Sequence, residues 1–169
     1  MMQLFLLCGK PGCGKTTISN HLQEKYGMIG LSADDFMLRL FGEIEDRAEF
    51  DDKLKRTKEV IYSLSEKLIR NGMRVVLDFG FWTESEREEI RKRFEGFNLL
   101  FVYIDKKQEE IFKNVEKRNS NLKENEYYMD KQVFEILCAK FEQPCKGNDV
   151  AVINGSTDEE VDAFIQKYL

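Results

Sequence analysis

Short apolar segments alternate along the chain with longer segments in which apolar residues recur at helical spacing. Five of the apolar segments predict β-strands: Leu4–Cys8, Ile29–Ser32, residues 74–79, Leu99–Ile104 and Val150–Ile153. Most are continuously apolar, which is typical of parallel strands that are buried on both faces. Because strands and helices alternate throughout, the sequence predicts an α/β fold with a doubly wound, five-stranded parallel sheet.

The helix boundaries follow from capping and stop signals. A first helix is predicted over residues 16–25, closed by Gly27, and a second follows an apolar stripe that stops at Asn71 and Gly72. The stripe consists of Leu54, Ile61, Leu64 and Leu68. Three pairs spaced like capping boxes predict further helix starts: Thr83 with Glu86, Asp105 with Gln108, and Ser156 with Glu159.

A glycine-rich loop, Gly9-Lys10-Pro11-Gly12-Cys13-Gly14-Lys15-Thr16-Thr17, follows the first strand directly. It matches the P-loop pattern G-x-x-x-x-G-K-[ST] between a strand and a helix, the context that this motif requires. Its backbone N–H groups are expected to bind phosphate oxygens, with Lys15 at the terminal phosphates and the Thr16 hydroxyl on Mg²⁺. The sequence therefore predicts ATP and Mg²⁺ as cofactors. The predicted nucleotide-binding residues of the loop are Gly9, Gly12, Cys13, Gly14, Lys15, Thr16 and Thr17.

The order of the glycines, G-x-x-G-x-G, does not fit the dinucleotide fingerprint G-x-G-x-x-G. With 169 residues the chain is long enough for one domain, spanning 1–169, and too short for two comfortable ones. Its net charge of −5, without a basic stripe, makes a nucleic-acid partner unexpected. The sequence shows no membrane-spanning run and no signal peptide, and its four cysteines lack zinc-like spacing. Reduced thiols, and hence a cytoplasmic location, are expected.

Acidic residues lie at the carboxyl ends of three successive predicted strands, where ligands of open α/β sheets bind. We expect Asp34 to be the base for the acceptor hydroxyl and Asp35 to cap the following helix. Asp78 is expected to hold a water on magnesium, with a turn-stabilising role as the alternative. Asp105 is expected to cap a helix, and His21, the only histidine, to lie at the surface or in packing contacts.

Aromatic residues after the third strand are candidates for an acceptor pocket, namely Phe81 and Trp82, whereas Phe79 is about as well explained by the core. The polar segment 118–126 lies between two helical patterns and is what a mobile flap over the phosphates would look like. An ordinary solvated loop is the alternative.

The succession of motifs resembles that of small P-loop kinases. The resemblance rests on the P-loop and four later segments: Ser32-Ala33-Asp34-Asp35-Phe36, Val75-Val76-Leu77-Asp78, Tyr103-Ile104-Asp105 and Glu116-Lys117-Arg118-Asn119. These small P-loop kinases include zeta toxins, chloramphenicol phosphotransferases and polynucleotide-kinase-like proteins, and are often described as AAA-type ATP-binding proteins. The resemblance extends to about residue 144 and implies a nucleoside-monophosphate-kinase-like P-loop fold with a small lid, roughly residues 118–130.

In such kinases the first acid of the Asp-Asp pair is the general base, which corresponds to Asp34. The resemblance also implies that Arg118 contacts the transferring phosphate and the adenine. Polynucleotide kinases carry an arginine three residues after the base, where this chain has Met37, with Arg39 two residues later. Arg39 is therefore the candidate cation of the acceptor pocket, together with Asp34, Phe81 and Trp82.

A kinase that uses MgATP to phosphorylate a hydroxyl of a small molecule is the leading hypothesis, with Lys15, Asp34 and Arg118 as catalytic residues and Thr16 and Asp78 at the metal. The alternatives are a nucleotide-binding switch that acts through a partner, and a polynucleotide 5′-hydroxyl kinase. A switch needs no base for an acceptor hydroxyl, and the base-recognition motif N-K-x-D of GTPases is absent from the sequence.

Overall fold

A computed structural model describes residues 1–123, 126–145, 147–155 and 157–169. Its five strands are β1 (Leu4–Cys8), β2 (Ile29–Ser32), β3 (Val75–Gly80), β4 (Leu99–Ile104) and β5 (Val150–Ile153). All pairings are parallel, in the order β2-β3-β1-β4-β5. The predicted five-stranded parallel sheet is confirmed, with the third strand one residue later than the sequence pattern indicated.

Helices of the described chain follow the strands and cover both faces of the sheet. They are α1 (Lys15–Tyr26), α2 (Ala33–Phe41), α3 (Arg47–Arg70), α4 (Glu84–Arg93), α5 (Gln108–Asn119), α6 (Lys131–Lys140) and α7 (Asp158–Ile165). None of them combines the length and the apolar character needed to cross a lipid bilayer.

The central strand β1 separates two hydrophobic cores. All five of its residues are fully buried. Phe5 and Leu7 belong to the core that includes residues of α1, α5, α6 and α7, whereas Leu4 and Leu6 belong to the core beneath α2, α3 and α4. Successive side chains of a strand point to opposite faces, so a continuously apolar strand must be covered on both sides.

The helix starts agree only in part with the sequence signals. The Thr83 hydroxyl accepts a hydrogen bond from the Glu86 N–H at 3.1 Å, so this predicted cap is confirmed. The prediction for Asp105 is wrong: its carboxylate accepts a hydrogen bond from the Tyr103 hydroxyl at 3.2 Å, and α5 begins at Gln108, with Lys107 at its N-cap position.

The last helix begins with a threonine cap and packs on α1. Ser156, the predicted cap, lies outside the described residues; the hydroxyl of Thr157 accepts from the Glu160 N–H at 3.2 Å. On α7, the Asp162 carboxylate contacts His21 and accepts hydrogen bonds from Lys25 and Tyr26. Together these bonds hold the pKa of Asp162 below its usual range, that from Lys25 contributing most. His21 is thus part of a helix–helix contact, as expected.

Candidate active site

The P-loop connects β1 to α1 and lies against α5. Gly12 and Gly14 have φ angles of 80° and 104°, in the region that favours glycine. A Cβ atom on Gly12 would lie 2.6 Å from Val115 Cγ2 and 2.8 Å from the carbonyl oxygen of Ile111. The loop can therefore approach α5 this closely only with glycine at position 12. Cys13 is fully buried beside Gly9, which agrees with a packing role for its side chain.

Lys15 folds back over the loop that precedes it. Its ammonium donates to the carbonyl oxygens of Gly9 and Lys10, at 3.2 and 3.0 Å. Burial alone would lower the pKa of this ammonium, but the neighbouring Cys13, Asp78 and Asp34 raise it. Lys15 therefore carries its positive charge at neutral pH, and phosphate binding by its ammonium stays a prediction.

Thr16 and Asp78 meet at the carboxyl end of the sheet. The Thr16 hydroxyl donates to Asp78 Oδ2 at 2.6 Å, and Asp78 is only 7% exposed. Hydroxyl and carboxylate oxygens are suitable ligands for Mg²⁺, which usually keeps several waters and takes further oxygens from substrate phosphates. Within the described ranges no three His, Cys, Asp or Glu side chains cluster as metal ligands. This two-oxygen pair, beside the phosphate-binding loop, fits Mg²⁺ held mainly through water and phosphate.

The two acids of α2 have different surroundings. The cap of α2 is the Ser32 hydroxyl, which accepts from the Asp35 N–H at 3.4 Å, so the prediction that Asp35 is the cap is wrong. The Asp35 carboxylate instead pairs with Arg39 at 2.9 Å, and the Arg39 side chain is 71% exposed. Arg39 is thus engaged by Asp35, and its assignment to the acceptor pocket stays a prediction.

Of these two acids of α2, Asp34 is the one without a protein partner: no hydrogen bond or ion pair engages it within the described part of the chain. Asp34 is an exposed residue, yet the protein packed around its carboxyl desolvates it and raises its pKa, and the negative charge of Asp78 adds to this. The positive charges of Lys15, Arg118 and Lys58 act in the opposite direction. The structure therefore brings Asp34 within electrostatic range of both predicted phosphate-binding cations.

Of the two aromatic residues in the turn after β3, Phe81 lies in the core and Trp82 is half-buried. Phe81 has a φ angle of +45° and is fully buried. Its ring stacks on Phe79 and meets Phe101 edge-on, each at 5.7 Å between centroids. The expectation that Phe81 lines the acceptor pocket is wrong, because the turn directs its ring into the core. Trp82 is half-buried and stays a candidate for the pocket wall.

Arg87, which sequence reasoning missed, donates a hydrogen bond to the backbone of this turn. The guanidinium is fully buried and donates to the carbonyl oxygens of Phe81 and Glu142, at 2.7 and 3.0 Å. It also pairs with Glu84 at 2.9 Å. Buried charges require such partners, and the Glu84–Arg87 spacing of three on a helix was the available sequence signal.

Replacement of Arg87 by alanine is expected to destabilise the fold by about 3 kcal/mol, because it opens a cavity and removes the hydrogen bonds to the carbonyl groups of Phe81 and Glu142. Denaturant unfolding of the purified variant measures this loss. Arg70→Ala provides a control, because Arg70 is an exposed residue of α3. A loss below about 1 kcal/mol, comparable to ordinary surface changes, would contradict the structural role given to Arg87.

The end of α5 anchors the predicted lid segment. The Asn119 side chain donates to the carbonyl oxygen of Met129 at 2.6 Å and accepts from its N–H at 3.2 Å. Arg118 donates to the carbonyl oxygen of Tyr127 at 3.3 Å. Residues 124 and 125 of this segment lie outside the described residues, and closure of the segment over phosphates stays a prediction.

Two polar atoms of this segment are buried without a hydrogen-bond partner in the described chain: Arg118 Nε and the Tyr127 hydroxyl. Both residues lie within electrostatic range of Asp34. Tyr127 also packs edge-on against Phe50 of α3, at 6.1 Å between ring centroids. Buried polar groups are normally paired, so these orphaned donors beside Asp34 indicate a place for a polar ligand. Tyr127 was also missed, since its position depends on contacts distant in sequence.

Comparisons with known proteins identify the family and the fold. A family model described as "AAA domain" matches residues 4–144. A curated adenylate kinase from Malacoplasma penetrans (strain HF-2) is 33% identical over 84 residues, which are 47% of this chain and 37% of that protein.

Solved kinases share the fold at low identity. A gluconokinase from Sinorhizobium meliloti 1021 is 15% identical, with a TM-score of 0.70 over 98% of this chain and 93% of that chain. The Mycobacterium tuberculosis APS kinase, solved with AMPPNP and APS, is 16% identical, with a TM-score of 0.66 over 98% and 96%. The predicted P-loop NTPase fold, of the kind found in small kinases, is confirmed.

Proposed function

Since this chain belongs to the AAA domain family and has the fold of P-loop kinases, we propose that it transfers the γ-phosphoryl group of MgATP to a hydroxyl of a small molecule. The observation that carries the proposal is Asp34, a carboxylate with a raised pKa and no protein partner, within electrostatic range of Lys15 and Arg118. A protein that only binds nucleotide needs no carboxylate to accept a proton from an acceptor hydroxyl.

The nucleotide end of the site is assigned to the P-loop. Its backbone N–H groups, chiefly those between Gly12 and Thr17, would bind phosphate oxygens, and Lys15 would leave the carbonyl groups of the loop for the terminal phosphates. Thr16 and Asp78 would hold Mg²⁺, which supplies charge neutralisation on the phosphates when bound. Arg118 would approach the transferring group from the lid segment and contribute to binding of the adenine.

At the acceptor end, Asp34 would accept the proton of the attacking hydroxyl. The hydroxyl oxygen forms a bond to the γ-phosphorus as the bond from that phosphorus to the β–γ bridging oxygen breaks, and ADP leaves. Trp82 is assigned to the wall of the acceptor pocket. A cytoplasmic location stays a prediction from the cysteine pattern.

The alternatives find less support in the structure. For a polynucleotide kinase, the residue three positions after the base would hold a terminal phosphate, but Met37 is fully buried. Arg39, the next cation along α2, pairs with Asp35. For a nucleotide switch, an unpaired carboxylate beside the P-loop would have no evident use.

The test is transfer of labelled phosphate from ATP to two kinds of acceptor: pools of small hydroxylated metabolites, and an oligonucleotide with a 5′-hydroxyl. We expect labelled small-molecule product and no labelled oligonucleotide, even at low salt, where binding to nucleic acid is strongest. Asp34→Asn is the control and should remove the product. Efficient 5′ labelling that Asp34→Asn abolishes would replace the small-molecule acceptor by a polynucleotide, whereas ATP hydrolysis without transfer to any acceptor would favour the switch.

A further inference from the structure

Lys58 is a half-buried cation of α3 within electrostatic range of Asp34. Its side chain is 21% exposed. The ammonium lies 2.6 Å from Glu86 Oε1 and 5.8 Å from the centroid of the Phe79 ring. A surface lysine normally extends its ammonium into water, whereas this one is held against the wall formed by β3 and the start of α4.

Glu86 fixes the ammonium without occupying all of its donors. Its second oxygen, Oε2, accepts from the Trp82 N–H at 2.8 Å, so both carboxylate oxygens are engaged. A lysine ammonium has three N–H donors. Within the part of the chain that the structure describes, Glu86 is the hydrogen-bond partner of Lys58. Two donors therefore remain for a ligand.

The position of Lys58 relative to Asp34 is set by the packing of α3 on α2. The hydroxyl of Thr57, the preceding residue, donates to Met37 Sδ at 3.3 Å. Met37 is three residues after Asp34, on the same face of α2. Lys58 and Asp34 thus lie on adjoining helices, and Trp82 joins the same region through its N–H bond to Glu86.

One cation within electrostatic range of Asp34, Lys58, is not assigned to ATP. Asp34 and Asp78 are both acidic, so an anionic acceptor would be repelled unless a cation opposed them. Under the proposed function Lys15 and Arg118 bind ATP, whereas Lys58 comes from α3 and is held by a different partner. An ammonium with spare donors in a partly desolvated place binds charged oxygens more strongly than neutral ones.

We propose that Lys58 binds an anionic oxygen, of a carboxylate or a phosphate group, on a small hydroxylated acceptor. The acceptor class is then a hydroxylated organic anion, whose hydroxyl faces Asp34 while its charged group faces Lys58. This inference rests on the proposed kinase function. A purely structural Lys58–Glu86 pair between α3 and α4 predicts instead that acceptor choice is independent of Lys58.

The experiment measures ATP-dependent phosphorylation of matched acceptors by the full-length chain. The probes are polyhydroxy carboxylates such as gluconate, sugar phosphates such as glucose 6-phosphate, and the uncharged glucose, glucitol and adenosine. The first two sets distinguish a carboxylate from a phosphate as the charged group. The variants are Lys58→Met, which keeps the stem, and Lys58→Arg, which keeps the charge. Lys55→Met is the matched control, an exposed lysine of the same helix.

We expect the wild type to prefer an anionic acceptor over the uncharged ones. Lys58→Met should raise the KM for that acceptor roughly 10- to 100-fold, the loss of one charged hydrogen bond, and leave the KM for ATP unchanged. Lys58→Arg should recover part of the loss, and Lys55→Met should behave as the wild type. Unchanged ATP binding by Lys58→Met also shows that this variant is folded.

Equal use of uncharged acceptors, or a KM for the anionic acceptor that Lys58→Met leaves unaltered, would overturn the inference and leave the kinase assignment standing. If the wild type binds MgATP but phosphorylates neither these probes nor any member of the metabolite pools, the proposed kinase function itself fails and the inference fails with it.

Discussion

Lys15→Ala is expected to reduce phosphoryl transfer below detection while the chain keeps its fold. Within the described residues, Lys15 donates to two carbonyl groups of its own loop and to the sulfur of Cys13, the last at 3.8 Å, so its removal does not open the core. The lysine would otherwise hold the terminal phosphates during transfer. Thermal unfolding should show a nearly unchanged midpoint without nucleotide, and the shift produced by MgATP should be lost.

The size of the lost shift can be anticipated. A ligand present at a hundredfold excess over its Kd stabilises the folded state by about 2.7 kcal/mol. Lys10→Ala, in the same loop, is the matched control, because the Lys10 side chain makes no hydrogen bond in the described chain. Full stabilisation of Lys15→Ala by MgATP would show that this loop is not the nucleotide site.

Asp34→Asn is expected to lower the transfer rate by roughly 10²- to 10⁴-fold, the range of general-base catalysis, with little change in ATP affinity. The amide has nearly the shape of the carboxylate but cannot accept the hydroxyl proton. Steady-state kinetics with the acceptor varied, and ATP binding measured separately, distinguish these effects. Asp35→Asn is the control, because Asp35 pairs with Arg39 at an exposed position. Loss of turnover in Asp35→Asn alone would show that the roles of the pair are reversed.

The raised pKa of Asp34 determines how the rate of phosphoryl transfer should change with pH. A base acts only when deprotonated, and the folded chain holds the pKa of this carboxyl above its ordinary value. Transfer should therefore rise with pH through that raised pKa and be lost below it, at a higher pH than an unperturbed aspartate would give. The same raised pKa means that the folded state binds this proton more tightly than the unfolded state, so the charged Asp34 opposes folding above its folded pKa. A pH–rate profile that Asp34→Asn leaves unchanged would contradict the assignment.

The sequence was sufficient for the sheet and for the phosphate loop. Strands buried on both faces, such as β1, must be continuously apolar, and a phosphate loop needs glycine at fixed positions. Both are local requirements, so local pattern reveals them. The contact between Thr16 and Asp78 could also be anticipated, because parallel strands end at one edge of the sheet and both residues follow or end such strands.

The errors concern residues whose role depends on competition among neighbours. Asp35 has the residue type of a helix cap, but Ser32 lies at the first turn and takes that position. At α5 the N-cap position falls on Lys107, which makes no side-chain cap bond, while the Asp105 carboxylate is engaged by the Tyr103 hydroxyl. Phe81 directly follows β3, yet its positive φ angle turns the ring into the core. No local sequence pattern indicates that backbone angle.

Arg87 has a consequence for the order in which the chain can assemble. Its guanidinium joins the turn at Phe81 to the carbonyl group of Glu142, a residue that is synthesised much later. Until that residue leaves the ribosome, the buried cation lacks one of its partners, although β1, β3 and the phosphate loop are already available. We expect a nascent chain that ends before Glu142 to form the nucleotide half of the site first, and the wall around Trp82 to become fixed only afterwards.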